Sequence, residues 1–211
     1  MRSGDEASVP PACDSPSSGE ISAMVLAGGR ATRMGGIDKA CAVADGERLI
    51  DIVLRSLGPA PRIVVSSRQP EGLPADVQLV AENPPFAGPI AAIARGSEEI
   101  ATPFVFITTV DAPFASRLLP RLARVIGDHS AAVVRSSDGF LEPLIALWRT
   151  VDLRVAIAET GTEGAAKRLY SAAHSIIEVP GDGSERDYDT LEELKSFTHH
   201  SAAPTTPSVQ K

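Results

Sequence analysis

Short apolar runs alternate with longer amphipathic stretches along most of the chain. Seven of the runs are rich in Val, Ile and Phe, which is typical of strands covered on both faces of a sheet. These runs are Ser22–Leu26, Arg62–Ser66, Val77–Ala81, Phe104–Thr108, Ala131–Arg135, Leu144–Trp148 and Ser175–Val179. Helical spacing of apolar residues begins at Leu49, Ile90 and Leu118. This alternation predicts a three-layer α/β sandwich with a mainly parallel, Rossmann-like central sheet of about seven strands.

The ends of the chain have a different composition. Residues 1–20 and 198–211 are rich in Pro, Ser and Thr and hold few apolar residues, which predicts disordered tails. The stretch between them, residues 21–197, is predicted to be one domain, because a domain usually holds roughly 100–200 residues.

The composition excludes some classes of function. A formal net charge of −7 without basic runs argues against binding of nucleic acid. No apolar run approaches the roughly 18 residues of a membrane span, and the first twenty residues lack the apolar core of a signal peptide. We therefore expect a cytoplasmic monomer without membrane partners. Small apolar neighbours predict that Cys41 is buried.

The glycine-rich segment after the first predicted strand is the strongest candidate site. Its glycines allow close approach of a ligand, and successive backbone N–H groups can surround phosphate oxygens. Arg30, Arg33 and Lys39 add positive charge to this part of an acidic chain, which indicates an anionic ligand. The alternative is a flexible turn with solvated charges. The segment fits neither G-x-x-x-x-G-K-[ST] nor G-x-G-x-x-G, which disfavours P-loop ATPases and dinucleotide-dependent dehydrogenases.

A second candidate site follows the most strand-like run of the chain. Asp111 and Pro113 come directly after the predicted strand that begins at Phe104. Ligands bind beyond the carboxyl ends of parallel strands, and Mg²⁺ prefers carboxylate oxygens shared with substrate phosphates. The alternative is that Asp111 only caps the next helix.

The stretch LAGGRATRMGGIDK, from Leu26 to Lys39, resembles the molybdenum cofactor guanylyltransferases. The resemblance extends to the Asp-x-Pro motif at Asp111 and covers residues 21–197. It implies transfer of GMP from GTP to the phosphate of molybdopterin with Mg²⁺ as cofactor. It also implies molybdenum-insertion proteins or molybdoenzyme chaperones as partners.

The resemblance also suggests roles for individual residues. Arg33, Lys39 and Asp111 are the expected catalytic residues, and Asp111 is the expected metal ligand. Nucleotide binding is expected at Leu26, Ala27, Gly28, Gly29, Lys39, Ser66, Asn83 and Asp111.

This chain departs from the family pattern at several positions. The family has an acidic pair after the third strand, and here the pair is Glu82-Asn83, so a carboxylate role does not carry over to Asn83. Glu142 replaces a glutamine in a segment that either helps to hold the second substrate or simply begins a strand. Near the end, Thr190 is expected to cap the last helix, and Asp187 and Asp189 are candidates for approach to the metal.

Three other functions remain open at this stage. A cytidylyltransferase for the same cofactor would have the same loop and the same Asp. The loop and the Asp contact phosphates and metal, which do not differ between the two nucleotides. A sugar-phosphate nucleotidyltransferase would share the loop, although such chains are generally longer. The third alternative is a nucleotide-binding regulatory protein without catalysis, against which Lys39 and Asp111 argue.

Overall fold

The computed structural model describes residues 15–29, 38–190 and 192–193. Its central sheet is built from strands within one or a few residues of the predicted runs. The strands are β1 (Ile21–Leu26), β2 (Val43–Ala44), β3 (Glu47–Arg48), β4 (Arg62–Ser66), β5 (Val77–Ala81), β6 (Phe104–Thr109), β7 (Ala131–Arg135), β8 (Leu141–Arg149) and β9 (Ile176–Pro180). β2 and β3 form a separate small hairpin.

Helices connect the strands, and three of the five, α1, α2 and α3, begin within one residue of the positions that the apolar spacing predicts, whereas α4 and α5 are not predicted. They are α1 (Leu49–Ser56), α2 (Pro89–Ser97), α3 (Leu119–Val125), α4 (Thr150–Thr160) and α5 (Arg168–Ala172). Short 3-10 helices cover Lys39–Cys41 and Ala115–Leu118. α2 begins with Pro89, whose fixed φ and missing N–H suit the first turn of a helix.

The large sheet has seven strands in the order β5-β4-β1-β6-β8-β7-β9. β5, β4, β1 and β6 are mutually parallel, and β7 pairs in parallel with β9. Only β8 is antiparallel to both of its neighbours in this sheet. The prediction of a mainly parallel sheet of about seven strands is therefore confirmed.

The direction of β8 changes which of its ends reaches the functional edge. Residues at the start of β8, near Leu144, share an edge with the carboxyl ends of the other strands. β8 is also longer than predicted and pairs with β7 through an irregular register between Val133 and Val134. The segment before β8 thus belongs to the edge at which ligands of such sheets bind.

The two faces of the sheet carry two separate apolar cores. Alternate strand residues such as Val25 and Phe106 pack with α1 and α3, whereas Met24 and Ile107 pack with α2, α4 and α5. Side chains of successive strand residues point to opposite faces, so each strand contributes to both layers. Trp148 is fully buried in the second core. The result is the predicted three-layer sandwich.

Two local features differ from the expectations. Ser18–Glu20, within the predicted disordered tail, forms a short 3-10 helix, because Ser17 and Glu20 bond reciprocally as a capping box. Residues 1–14 and 198–211 of the predicted tails lie outside the described ranges. Cys41 is exposed, not buried, because it ends the 3-10 helix with its neighbour Ala40 turned inward. Across the described residues, no helix combines the length and apolarity that crossing a bilayer would require.

We predict that Gly96→Val in α2 destabilises the protein by ~1–3 kcal/mol, because overpacking a close contact forces neighbours to shift. A Cβ at Gly96 would lie 2.8 Å from Val65 Cγ2 and 2.9 Å from Met24 Sδ. Ala94→Val places the same side chain at a partly exposed position of α2 and should cost only ~0.5 kcal/mol. Urea unfolding measures both, and equal losses would contradict this account of the packing.

Candidate functional site

A cavity of about 530 Å³ lies beyond the carboxyl ends of β1 and β6. This volume is typical of a small-molecule site. The walls come from segments far apart in sequence: Leu26, Ala27, Gly28, Gly29, Lys39, Glu82, Phe86, Gly88, Pro89, Ala92, Thr109, Val110, Asp111, Leu144 and Asp189. The cavity therefore occupies the place where ligands bind in open α/β sheets.

Lys39 lies between two carboxylates at the β6 side of the cavity. Its Nζ donates to Asp111 Oδ2 at 2.6 Å and to Asp189 Oδ1 at 2.5 Å. Burial lowers the pKa of Lys39, but the charges and hydrogen bonds of Asp111 and Asp189 outweigh burial and raise it. Lys39 thus remains a cation that joins the loop after β1, the end of β6 and the segment after β9.

Local hydrogen bonds place each member of this ion pair. Asp38 caps the 3-10 helix that carries Lys39, accepting from Ala40 N at 3.1 Å. The N–H of Tyr188 donates to the carbonyl of Asp111 at 2.9 Å, which ties the segment after β9 to the end of β6. These bonds fix the backbone on both sides of the cation.

A capping box follows directly after Asp189. Glu193 N donates to Thr190 Oγ1 at 3.1 Å, and Thr190 N donates to Glu193 Oε2 at 2.9 Å. The expected capping role of Thr190 is therefore present. The same carboxylate accepts from Asp189 N at 2.9 Å, which steadies Asp189 beside Lys39.

Further carboxyl groups surround the ion pair. Desolvation, followed by the charges of Asp111, Glu142 and Asp189, raises the pKa of Asp187 to about 7. Asp187 as a whole residue is exposed to solvent, but its carboxyl group is surrounded by many protein atoms, which is the source of the desolvation. Burial also raises the pKa of Glu142, with Glu185 adding to the effect and a hydrogen bond from Ser136 opposing it. This end of the cavity holds more negative charge than Lys39 balances.

The opposite end of the cavity, toward β4 and β5, is built around Glu82. Its Oε2 accepts from Ser67 Oγ at 2.5 Å and from the backbone N–H of Phe86 at 3.0 Å. A Cβ at Gly28 would lie 1.7 Å from Glu82 Oε1, so the carboxylate packs directly on this glycine. Gly28 is thus required by a close approach of a side chain and not by a positive φ.

The structure brings together six of the residues predicted to bind nucleotide: Leu26, Ala27, Gly28, Gly29, Lys39 and Asp111. Ser66 does not line the cavity, because its hydroxyl is buried against the carbonyls of Ala27 and Arg68. Asn83 lines a different, smaller cavity beside α2. The roles predicted for Ser66 and Asn83 remain predictions, and Arg33 lies outside the described residues.

Sequence reasoning assigned no role to Glu82 or Phe86, which both line the cavity, and placed Asp189 only loosely. Glu82 continues the backbone ladder of β5 by donating its N–H to the carbonyl of Ser66 at 3.3 Å. The pattern of alternation along β5 was the signal that could have selected Glu82 over Asn83, since neighbouring strand residues point in opposite directions.

The carboxylates near Lys39 fit a magnesium ion that is shared with substrate phosphates. No three His, Cys, Asp or Glu side chains among the described residues are arranged to hold a metal by themselves. Mg²⁺ is usually held by one or two carboxylates together with substrate phosphates, and Asp111 and Asp189 offer two. Burial is the main cause of the raised pKa of Asp187, and the charges of Asp111, Glu142 and Asp189 add to it, which a divalent cation beside these carboxylates would offset.

The fold and the cavity together define the class of nucleotidyltransferases, in which a glycine-rich loop, a lysine and an aspartate meet at the edge of a parallel sheet. Residues 23–176 match the MobA-like NTP transferase domain. The chain belongs to this family.

Individual relatives cover most of the chain. A molybdenum cofactor guanylyltransferase of Burkholderia orbicola is 32% identical over 78% of this chain and 87% of the relative. A probable molybdenum cofactor guanylyltransferase of Natronomonas pharaonis is 32% identical over 82% of this chain and 93% of the relative. The family resemblance predicted from the loop after β1 is therefore confirmed.

Solved structures show the same fold at lower sequence identity. Molybdopterin-guanine dinucleotide biosynthesis protein A from Archaeoglobus fulgidus has a TM-score of 0.63 and 16% identity, covering 82% of this chain and 94% of its own. The 2-C-methyl-D-erythritol 4-phosphate cytidylyltransferase of Thermus thermophilus has a TM-score of 0.63 and 18% identity, covering 81% of this chain and 94% of its own.

We predict that Asp187→Asn stabilises the metal-free protein more at pH 8 than at pH 4. The pKa of about 7 in the folded protein lies above the ordinary pKa of 3.8, so this carboxyl group favours folding when protonated. That contribution is complete below pH ~4 and is lost as the pH rises through ~7. Asn keeps the neutral state at every pH.

The measurement is the melting temperature of both proteins in EDTA from pH 4 to 8. The advantage of the variant should grow between pH ~4 and ~7 and then level off. An advantage that is independent of pH would contradict the raised pKa.

Proposed function

We propose that this protein transfers GMP from GTP to the phosphate of molybdopterin, forming molybdopterin guanine dinucleotide and pyrophosphate. The observation that carries the proposal is the Lys39–Asp111 pair in a cavity lined by Leu26–Gly29, within a chain of this family. The names of the relatives at 32% identity support the choice of GTP and molybdopterin. The cytoplasmic location predicted from the sequence, and partners that insert molybdenum or chaperone molybdoenzymes, belong to the same proposal.

The reaction needs positioning and charge neutralisation more than covalent chemistry. A phosphate oxygen of molybdopterin attacks the α-phosphorus of GTP, the bond from the α-phosphorus to the bridging oxygen breaks, and pyrophosphate leaves with that oxygen. No covalent intermediate with the protein is required. The enzyme must therefore align the two phosphates and stabilise negative charge that builds up on the leaving group.

The residues of the cavity suit these tasks. Backbone N–H groups of Gly28 and Gly29 lie where they can approach the nucleotide, and Lys39 is positioned to neutralise the leaving pyrophosphate. Arg33, from the same loop, is proposed to assist Lys39. Mg²⁺ held by Asp111 would supply further neutralisation of the triphosphate, as in other phosphoryl-group transfers.

The ion pair also explains how Lys39 is kept ready. In the absence of substrate its ammonium is held by Asp111 and Asp189 and cannot fold back onto the protein surface. Binding of the triphosphate supplies new acceptors for Lys39, since phosphate oxygens are strong partners for an ammonium group. Lys39 can exchange carboxylate for phosphate with little movement of its backbone.

The cavity and the relatives also bear on the two other nucleotidyltransferase activities that the sequence leaves open. The cytidylyltransferase for this cofactor would use the same phosphate-binding half of the cavity. A sugar-phosphate nucleotidyltransferase shares the fold, as the cytidylyltransferase of Thermus thermophilus does. The preference for GTP over the substrates of these alternatives rests on the names of the relatives, which are guanylyltransferases. The test therefore compares GTP with other nucleotides.

We predict that Asp111→Asn reduces pyrophosphate release from GTP and molybdopterin by roughly a hundredfold or more, because charge stabilisation at the transferred phosphate is lost. The fold should persist, because Lys39 keeps its bond to Asp189. Asp152→Asn removes a carboxylate from α4, outside the cavity, and should leave the rate unchanged. The assay measures pyrophosphate with GTP, CTP and UTP in turn.

Two results would contradict the proposal. Faster release with CTP or UTP than with GTP would exclude guanylyl transfer. Normal turnover of a folded Asp111→Asn variant would exclude the proposed role of Asp111.

A further inference from the structure

Glu82 is a carboxylate inside the cavity that the phosphate chemistry does not use. Its side chain is largely buried, with 8% of the residue exposed. It lies beyond the end of β5, whereas the Lys39–Asp111 pair lies beyond β6. A negatively charged group is unsuited to contact a triphosphate. Glu82 therefore has a different task from that of Lys39 and Asp111.

The position of Glu82 along the sheet edge fits the nucleoside end of a bound nucleotide. β5 and β6 are separated by β4 and β1, and three strand spacings amount to roughly 14 Å. If the triphosphate lies at Lys39, the loop residues Leu26–Gly29 carry the nucleotide along this edge toward Glu82. The base then lies at the β4–β5 end of the cavity.

Hydrogen bonds hold one carboxylate oxygen of Glu82 and leave the other available. Oε2 accepts from Ser67 Oγ and from Phe86 N, as described above. Among the described residues, no donor reaches Oε1, which lies against Gly28. An oriented acceptor without a partner in a largely buried site gains most from a ligand that donates to it.

An aromatic wall accompanies this acceptor. Phe86 lines the same cavity with a side chain that is 37% exposed, and its backbone has a φ of 56°. The left-handed conformation is unusual for Phe and is held by the bonds of its N–H to Glu82 and Ser67. The carboxylate thus also positions a ring against which a flat base can stack.

We propose that Glu82 selects guanine by accepting hydrogen bonds from its Watson–Crick edge. This inference rests on the proposed function, because it assumes that a nucleoside triphosphate occupies the cavity. Guanine presents two adjacent donors, N1–H and the N2 amino group, to a group that only accepts. Cytosine presents its N4 amino group next to the N3 acceptor, and uracil places N3–H between two carbonyl oxygens. A carboxylate therefore meets lone pairs in both pyrimidines, and the site discriminates against them.

The first test measures dissociation constants of GTP, ITP and CTP by calorimetry for the wild type and Glu82→Gln. ITP lacks the N2 amino group. The wild type should bind GTP most tightly, ITP more weakly and CTP at least about tenfold more weakly than GTP. Glu82→Gln should weaken GTP binding by roughly tenfold to a hundredfold and change CTP binding by less than about threefold. Glu159→Gln, an exposed carboxylate of α4, is the control and should leave the ranking intact.

A second variant displaces the carboxylate without removing it. The Cβ of Gly28→Ala would clash with Oε1, which is the far end of a flexible side chain and can rotate away at little cost to folding. Gly28→Ala should therefore keep its melting temperature within a few degrees and still lose the preference for GTP over CTP.

The results separate this inference from the proposed function. Equal weakening of GTP and CTP in Glu82→Gln would assign Glu82 a purely structural role and overturn the inference. Equal binding of GTP and CTP by the wild type would overturn it as well. Calorimetry needs no molybdopterin, so failure of guanylyl transfer would contradict the proposed function while leaving the role of Glu82 measurable. Loss of discrimination in both variants with the control unchanged supports the inference.

Discussion

The contact of Lys39 with Asp111 and Asp189 is the interaction on which the site depends. It joins residues 72 and 150 positions apart in the chain, and it does so at the edge where β1 and β6 end. An ion pair of this kind must offset the loss of hydration of its members, and here two carboxylates share one ammonium. The net charge left over is negative. The site is therefore prepared for a cation before any phosphate arrives, and the fold supplies the rigid edge that keeps the three groups together.

Much of the fold could be predicted because its strands are covered on both faces. A strand buried on both faces is a continuous apolar run, so the limits of β4 and β7 follow from composition alone. The direction of β8 could not be predicted, because an apolar run has the same pattern in either direction. The direction of β8 depends on its pairing with β6 and β7 and on its packing against α3, which are contacts between segments far apart in the chain.

The candidate site likewise contains residues that the sequence predicts and residues that it does not. Lys39 and Asp111 could be found from the sequence, because each follows a strand or a loop of recognisable composition. Asp189 was only a candidate for approach to the metal, since nothing local shows that residues 150 positions apart meet. Between Glu82 and Asn83 the sequence offers a polar pair, and only the orientation of the strand end decides which member faces the cavity. A shift of one residue in the register of β5 would turn Asn83 toward the cavity in place of Glu82.

The reversed strand β8 gives the cavity one wall that is constructed differently from the others. The walls proposed to bind the nucleotide are made by chain segments that leave parallel strands, whereas the wall at Leu144 is made by a strand that the chain enters from the turn at residues 136–140. Changes in the length of that turn alter the entering segment without moving β1, β4 or β6. Under the proposed function, the wall at Leu144 is the candidate acceptor side, and it can diverge during evolution while the proposed nucleotide side is preserved. One scaffold can in this way serve different phosphorylated acceptors with a single design for the nucleotide.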